Sequence, residues 1–291
     1  MLSLTSRLLT TRVPTMAKTV LLYGLSAHPP ANTGGHQGYV KYFTHQDWVD
    51  EMWVLPVYKH MYLEKQNLIS FEHRFRMSQI AFEENRDVNA GNKAKVLDTE
   101  KVCIEQAIQD ALLQGSDLSK VRVGTFQIVE YLKEKHPDTH FCFVMGGDTF
   151  NDLLDGKWTN TEELRAAVGI VHIPRIGYEV PAEALGTLLP PPVGTATSVD
   201  IPSMTDVSST KIRNLAAKGD YEGVEKLVDP RVAEYMRENK LYGLNSGTET
   251  KEKSIDKRTT AESQTRNNGK SEAKEATDGT RWSKRIKRDS Q

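Results

Sequence analysis

Four short runs along the chain are apolar at nearly every position: TVLLYG (19–24), EMWVLPV (51–57), HFCFVMGG (140–147) and VGIVHIPR (168–175). Apolar runs without alternation are typical of strands buried on both faces, as in a parallel sheet covered by helices on either side. The segments between them have a longer period. EHRFRMSQIAF (72–82), with Phe71, Phe75, Ile80 and Phe82 near helical spacing, and EKVCIEQAIQDALL (100–113) predict helices. Strand alternating with helix predicts an α/β fold: a doubly wound, Rossmann-like parallel sheet with helices on both faces. Near the C-terminus SSTKIRNLAAKG, DYEGVEKLV and DPRVAEYMRENK predict three short helices in succession, a C-terminal helical subregion. Asp229 as N-cap with Pro230 at the first helical position marks the start of the last. No internal repeat interrupts this order.

The two ends read differently. Residues 1–18 are rich in Ser and Thr, carry Arg7 and Arg12 and contain no acid, which suits an organelle targeting peptide, a disordered extension, or a leader upstream of a start at Met16. Residues 246–291 are charged and almost free of apolar side chains, so burial cannot offset the entropy of ordering them, and a disordered tail is expected. The expected organisation is therefore an N-terminal extension (1–18), one folded domain (19–245) and a charged tail (246–291).

Composition narrows the classes. With 38% apolar residues, 291 residues supply a substantial core, while a formal net charge of −1 gives no global pull toward nucleic acid or membrane. No apolar run reaches the ~18 residues a bilayer span needs, so no membrane partner is expected. Cys103 and Cys142 lie in apolar surroundings without metal-ligand spacing, which points to a reducing compartment and no structural zinc. The expected location is intracellular, cytoplasm or nucleus, with a mitochondrion or other organelle if the N-terminal extension is a targeting peptide.

Chemistry concentrates where the first strand ends. After Gly24 the loop SAHPPANTGG (26–35) runs into a helix at His36. In a doubly wound fold that is the ligand edge, where a helix N-terminus offers free N–H groups and glycines let a phosphate reach the backbone. Such a loop can equally serve only to cap a helix; His36, an imidazole placed to bond a phosphate, favours the anion site. A second helix start, DVSSTKIR (206–213), sets two hydroxyls ahead of Lys211 and Arg213 and suits a polyphosphate, or simply a cap with a basic face.

Thr33-x-Gly35-His36 after a first strand resembles the (His/Thr)-x-Gly-His signature of the nucleotidyltransferase superfamily, and Ser208-Ser209-Thr210-Lys211-Ile212-Arg213 resembles its second signature. The landmarks between them are similar to those of the nicotinamide or nicotinic acid mononucleotide adenylyltransferases. VLPVYKHMY carries Lys59, RFRM carries Arg74, VGTFQIVEYL carries Thr125, FVMGGDTFNDLLDGKW carries Gly146, Gly147, Asp148 and Trp158, and IVHIPRIG carries Arg175. The resemblance covers roughly residues 19–243. The loop is longer than the family's common form, which leaves the role of His28 open between touching ATP and shaping the turn.

The resemblance implies an adenylyltransferase of NAD biosynthesis, joining ATP to nicotinamide or nicotinate mononucleotide and releasing pyrophosphate. It implies His36, Lys59 and Arg213 as catalytic groups. Gly24, Ser26, Thr33, Gly35, Ser208, Ser209 and Thr210 would take the ATP phosphates, and Thr125, Gly146, Asp148, Trp158 and Arg175 the mononucleotide or dinucleotide. Mg2+ would arrive chiefly on the ATP phosphates, with no protein ligand named. Beside these roles stand plainer ones: Lys59 as a solvated turn residue, Asp148 as a turn carboxylate, Trp158 as core. His45, His73, His136, His140 and His172 are expected to be structural or on the surface.

Two other functions stay open: a nucleotidyltransferase for a pantetheine phosphate or phospho-alcohol, and a non-catalytic nucleotide-binding protein whose basic RWSKRIKR (281–288) contacts nucleic acid. A solvated tail is the plainer reading of that run, so no nucleic-acid partner is expected. A homo-oligomer is left open.

Overall fold

In the computed structural model the residues described are 17–58, 68–175, 177–202, 204–205 and 207–244. The expectations for the first sixteen residues, for Lys59 and for the charged tail lie outside them.

Six strands form one all-parallel sheet: β1 (Lys18–Leu25), β2 (Glu51–Pro56), β3 (Ala94–Val96), β4 (Thr139–Gly146), β5 (Gly169–Ile173) and β6 (Ala196–Ser198), in the spatial order β3-β2-β1-β4-β5-β6. The chain winds outward from β1 in both directions, so the order reverses between β1 and β4 and opens a crevice at their carboxyl ends. Register holds that crevice in place: Leu21 lies opposite Met52 on one side and Cys142 on the other. The doubly wound expectation is borne out. The four apolar runs became β1, β2, β4 and β5, whereas the three-residue edge strands β3 and β6 carry no long apolar run.

Alternate side chains of β1 leave for opposite faces, and each face has its own core. Leu21, Tyr23 and Leu25 pack with α1 (His36–Thr44), α2 (Phe71–Ser78), and the C-terminal α7 (Ser209–Ala217), α8 (Tyr221–Glu225) and α9 (Pro230–Glu238). Val20 and Leu22 pack on the other face with α4 (Thr125–Lys135), α5 (Gly147–Leu154) and α6 (Thr161–Ala167), and Cys103 of α3 (Thr99–Leu113) joins them. Val20, Leu21 and Leu22 are fully buried, each worth about 1.5–3 kcal/mol of transfer free energy.

The C-terminal helices begin as read from the sequence. The Asp229 carboxylate accepts from the Arg231 N–H ahead of Pro230 at N1, and Ser208 Oγ accepts from the Lys211 N–H at 3.3 Å. The segment expected as one helix over 72–82 differs: α2 ends at Ser78 and a π-turn follows over Gln79–Glu83, with Glu84 N–H reaching Gln79 O. Widening the turn leaves carbonyls for side chains. Gln37 Nε2 of α1 donates to Ala81 O, and Arg231 Nη2 of α9 donates to Ile80 O. Asp229, buried, accepts from Gln37, Asn85 and Arg231 and ties the three elements together.

Candidate active site

The loop after β1 folds back on itself through side chains from distant parts of the chain. Gly35 is the N-cap of α1, and His36 Nδ1 accepts the Ala31 N–H at 2.9 Å. That bond fixes the neutral tautomer: the proton sits on Nε2, which faces away as a donor. Burial first, and the charge of Arg175 second, push the His36 pKa down to about 4. At neutral pH His36 is thus an uncharged hydrogen-bond donor and not a base awaiting a proton.

The second helix start, some 170 residues later in the chain, is fastened onto this loop. Ser209 Oγ donates to Pro29 O at 2.9 Å, Arg213 Nη1 donates to His28 O at 2.8 Å, and Thr205 N–H donates to Gly34 O at 2.9 Å. A Cβ on Gly34 would stand 2.3 Å from Thr205 Oγ1, so a side chain there would displace the Thr205 hydroxyl from Gly34 O, to which it donates at 3.2 Å. Ser208 Oγ and the Ser209 hydroxyl proton are spent on the cap and on Pro29. What α7 offers an anion is therefore chiefly its backbone N–H groups, with Thr210 and Arg213, themselves joined at 3.1 Å.

Arg74 anchors the floor. Almost fully buried, it donates to Ser26 O (3.0 Å), Ile69 O (3.1 Å), Tyr58 O (3.2 Å) and Val57 O, gathering the chain leaving β1 and β2 around one guanidinium. Among the described residues Arg74, Lys211 and Arg213 form no ion pair. Glu72 and Glu100 lie within electrostatic reach of Arg74, whereas no carboxylate among the described residues pairs with Lys211 or Arg213; fixed positive charge beside two helix N-termini is an arrangement that holds polyphosphate. No three His, Cys, Asp or Glu side chains converge as a metal cage among the described residues.

Across the crevice lie the residues expected to take the second nucleotide. Gly146 caps α5, and Asp148 Oδ2 meets Arg175 Nη1 at 3.0 Å, both partly exposed. The Arg175 charge also reaches Tyr23 and Tyr39, whose rings meet edge to face at 5.7 Å. Gly24 borders the Phe143 ring, and Trp158 packs edge-on against that ring at 6.5 Å, half-buried in a loop between α5 and α6. Trp158 is thus both core and loop-borne. Thr125 opens α4 beside the same loop, where Gln127 bridges Gly124 N–H (3.0 Å) and Asn160 (3.3 Å).

The motifs single out Arg74 only as a landmark and give no place to Tyr23, Tyr39 or Tyr242, because no local pattern marks that Tyr23 meets Tyr39 or that Tyr242 meets His28. The remaining histidines have partners: His45 with Lys41 O, His73 with the Tyr235 hydroxyl, His140 with Pro191 O, His172 with Ser198 Oγ, and His136 against the Trp53 ring.

Residues 36–215 match the family model described as Cytidylyltransferase-like. A probable nicotinate-nucleotide adenylyltransferase of Lactiplantibacillus plantarum is 34% identical over 146 residues, which cover 49% of this chain and 62% of that protein. One from Myxococcus xanthus is 29% identical over 232 residues, covering 78% of this chain and 96% of that protein. The fold resembles that of the nicotinic acid mononucleotide adenylyltransferase of Plasmodium falciparum, solved with NaAD: TM-score 0.60 and 21% identity, over 79% of this chain and 100% of that one.

Proposed function

The chain belongs to the cytidylyltransferase-like family, and from that premise we propose that it is a nucleotidyltransferase of NAD biosynthesis, joining ATP to nicotinate or nicotinamide mononucleotide. The names of its relatives favour nicotinate mononucleotide as acceptor. The observation that carries the reading is the joining of two helix N-termini at one edge, through Ser209 to Pro29 and Arg213 to His28, with Arg213 in no ion pair among the described residues.

The mononucleotide phosphate attacks the α-phosphorus of ATP in line; a P–O bond to it forms as the bond to the β-phosphate oxygen breaks, and pyrophosphate leaves. No protein nucleophile is needed, so the protein aligns the reactants and stabilises charge on oxygens. His36 donates through Nε2, Arg213 and Lys59 supply fixed charge, and the N–H groups at Gly35 and the start of α7 complete the cradle with Gly24, Ser26, Thr33 and Thr210. Thr125, Gly146, Asp148, Trp158 and Arg175 take the acceptor nucleotide. With no carboxylate cage among the described residues, Mg2+ would be carried by the triphosphate, whose charge it lowers. Residues 19–245 form the catalytic domain in this reading.

The test is direct: purified protein with ATP, magnesium and each mononucleotide, measuring pyrophosphate and dinucleotide together. Equimolar pyrophosphate and nicotinate adenine dinucleotide are expected. ATP consumed only with phosphopantetheine or a phospho-alcohol would reassign the acceptor, and no turnover with any of them would leave a binding protein.

A further inference from the structure

His28 lies outside both phosphate signatures, yet its surroundings are built around it. Its backbone is gripped on both sides: Arg74 takes Ser26 O, Arg213 takes His28 O and Ser209 takes Pro29 O. Its ring rests on Tyr242, centroids 5.0 Å apart and tilted by 34°, at the turn that follows α9. The side chain is 7% exposed and faces two guanidinium groups that pair with no carboxylate among the described residues.

Two side-chain atoms in the described chain are sealed without a partner, His172 Nε2 and the Tyr242 hydroxyl; the His28 ring nitrogens are not among them. They make no hydrogen bond among the described residues either, so the ring keeps some nitrogen surface exposed while it packs on Tyr242. An imidazole nine-tenths buried, without a hydrogen-bond partner among the described residues and beside the Arg213 guanidinium, lacks an acceptor there. The arginines and burial hold it neutral, with its pKa down to about 4, so it approaches as an N–H donor.

We infer that His28 is a second imidazole of the phosphate site, donating to the β- or γ-phosphate oxygens of ATP and then to the departing pyrophosphate, with Tyr242 as the positioning residue behind it. The ligand rests on the adenylyltransferase reading. The geometry calls more generally for a linear polyphosphate, because the loop that carries His28 also carries His36 at the start of α1 and is bonded to the start of α7, each an anion contact of its own.

Calorimetric binding of ATP, AMP and inorganic tripolyphosphate tests this without turnover. His28→Phe keeps a ring on Tyr242 but has no N–H; His28→Asn keeps an N–H donor but loses the ring. We expect His28→Phe to weaken ATP and tripolyphosphate at least about fivefold, to leave AMP within about twofold and to keep the melting temperature, while His28→Asn recovers part of the affinity. Wild-type affinity for tripolyphosphate in His28→Phe would overturn the assignment, as would equal losses for ATP and AMP. Failure of the wild type to make a dinucleotide would refute the adenylyltransferase reading alone, because tripolyphosphate binding is scored independently.

Discussion

At His36 the local structure decides the chemistry. The Ala31 N–H occupies Nδ1, so the ring presents one donor and has no free acceptor with which to take a proton. His36→Ala should lower turnover at least about tenfold, roughly 1.4 kcal/mol of transition-state stabilisation, with the melting temperature nearly unchanged; turnover near that of the wild type would remove His36 from the site. Trp158 is half-buried, packed edge-on against Phe143. Trp158→Ala should raise the Michaelis constant for the mononucleotide more than that for ATP, and a change confined to ATP would count against stacking on the pyridine ring. The Tyr242 hydroxyl is sealed and unpartnered, a burden of about 1–3 kcal/mol. Tyr242→Phe should therefore raise the unfolding midpoint in urea, and a lower midpoint would mean that the hydroxyl has a partner in solution.

At the scale of elements, α1 and the loop before it act as one piece. A Cβ on Gly38 would stand 2.3 Å from Thr33 O, so the helix and the loop are in contact without a side chain between them. Gly38→Ala should cost about 1–3 kcal/mol of stability by overpacking and weaken ATP binding because Thr33 is displaced, measured as unfolding free energy and as affinity; unchanged values for both would show that the loop yields freely. How much could be read from the sequence follows from the reach of each cause. Strands β1, β2, β4 and β5 and the capped starts of α7 and α9 rest on neighbouring residues and were legible. Edge strands β3 and β6 owe their form to the strand each pairs with, and the π-turn to Gln37 and Arg231 far away in sequence, so no local pattern announced them. Thr33, Gly35, His36 and Arg213 could be read as motifs, whereas Arg74's four carbonyl partners could not, because they come from three separate stretches of chain.

For the molecule as a whole, the histidines at the crevice tie stability to pH. His28 and His36 drop from 6.5 to about 4 on folding, so below pH 6.5 the unfolded chain binds protons that the folded chain refuses. Their contribution is complete above about pH 6.5 and is lost as pH falls toward 4. Burial opposes ionisation of Glu51, but hydrogen bonds from Lys18, Lys95 and Trp53 prevail and hold it near 2, so its contribution is lost only below about pH 4.5. The melting temperature should thus begin to fall between pH 6.5 and 5, before carboxylates titrate, and ATP should reduce the slope. A flat profile down to pH 5 would mean that these imidazoles are solvated. The π-turn carries a last consequence, one of chain length. It stands between Arg74, aimed at the strand ends, and the carbonyls that hold α1 and α9. An α-helix advances about 100° per residue, so deleting one residue from 79–83 would make a more regular helix and yet turn Arg74 about a quarter of a revolution off its four carbonyls. This stretch, with Ile80, Ala81 and Phe82 in the core, should tolerate conservative apolar exchanges but no change in the number of its residues.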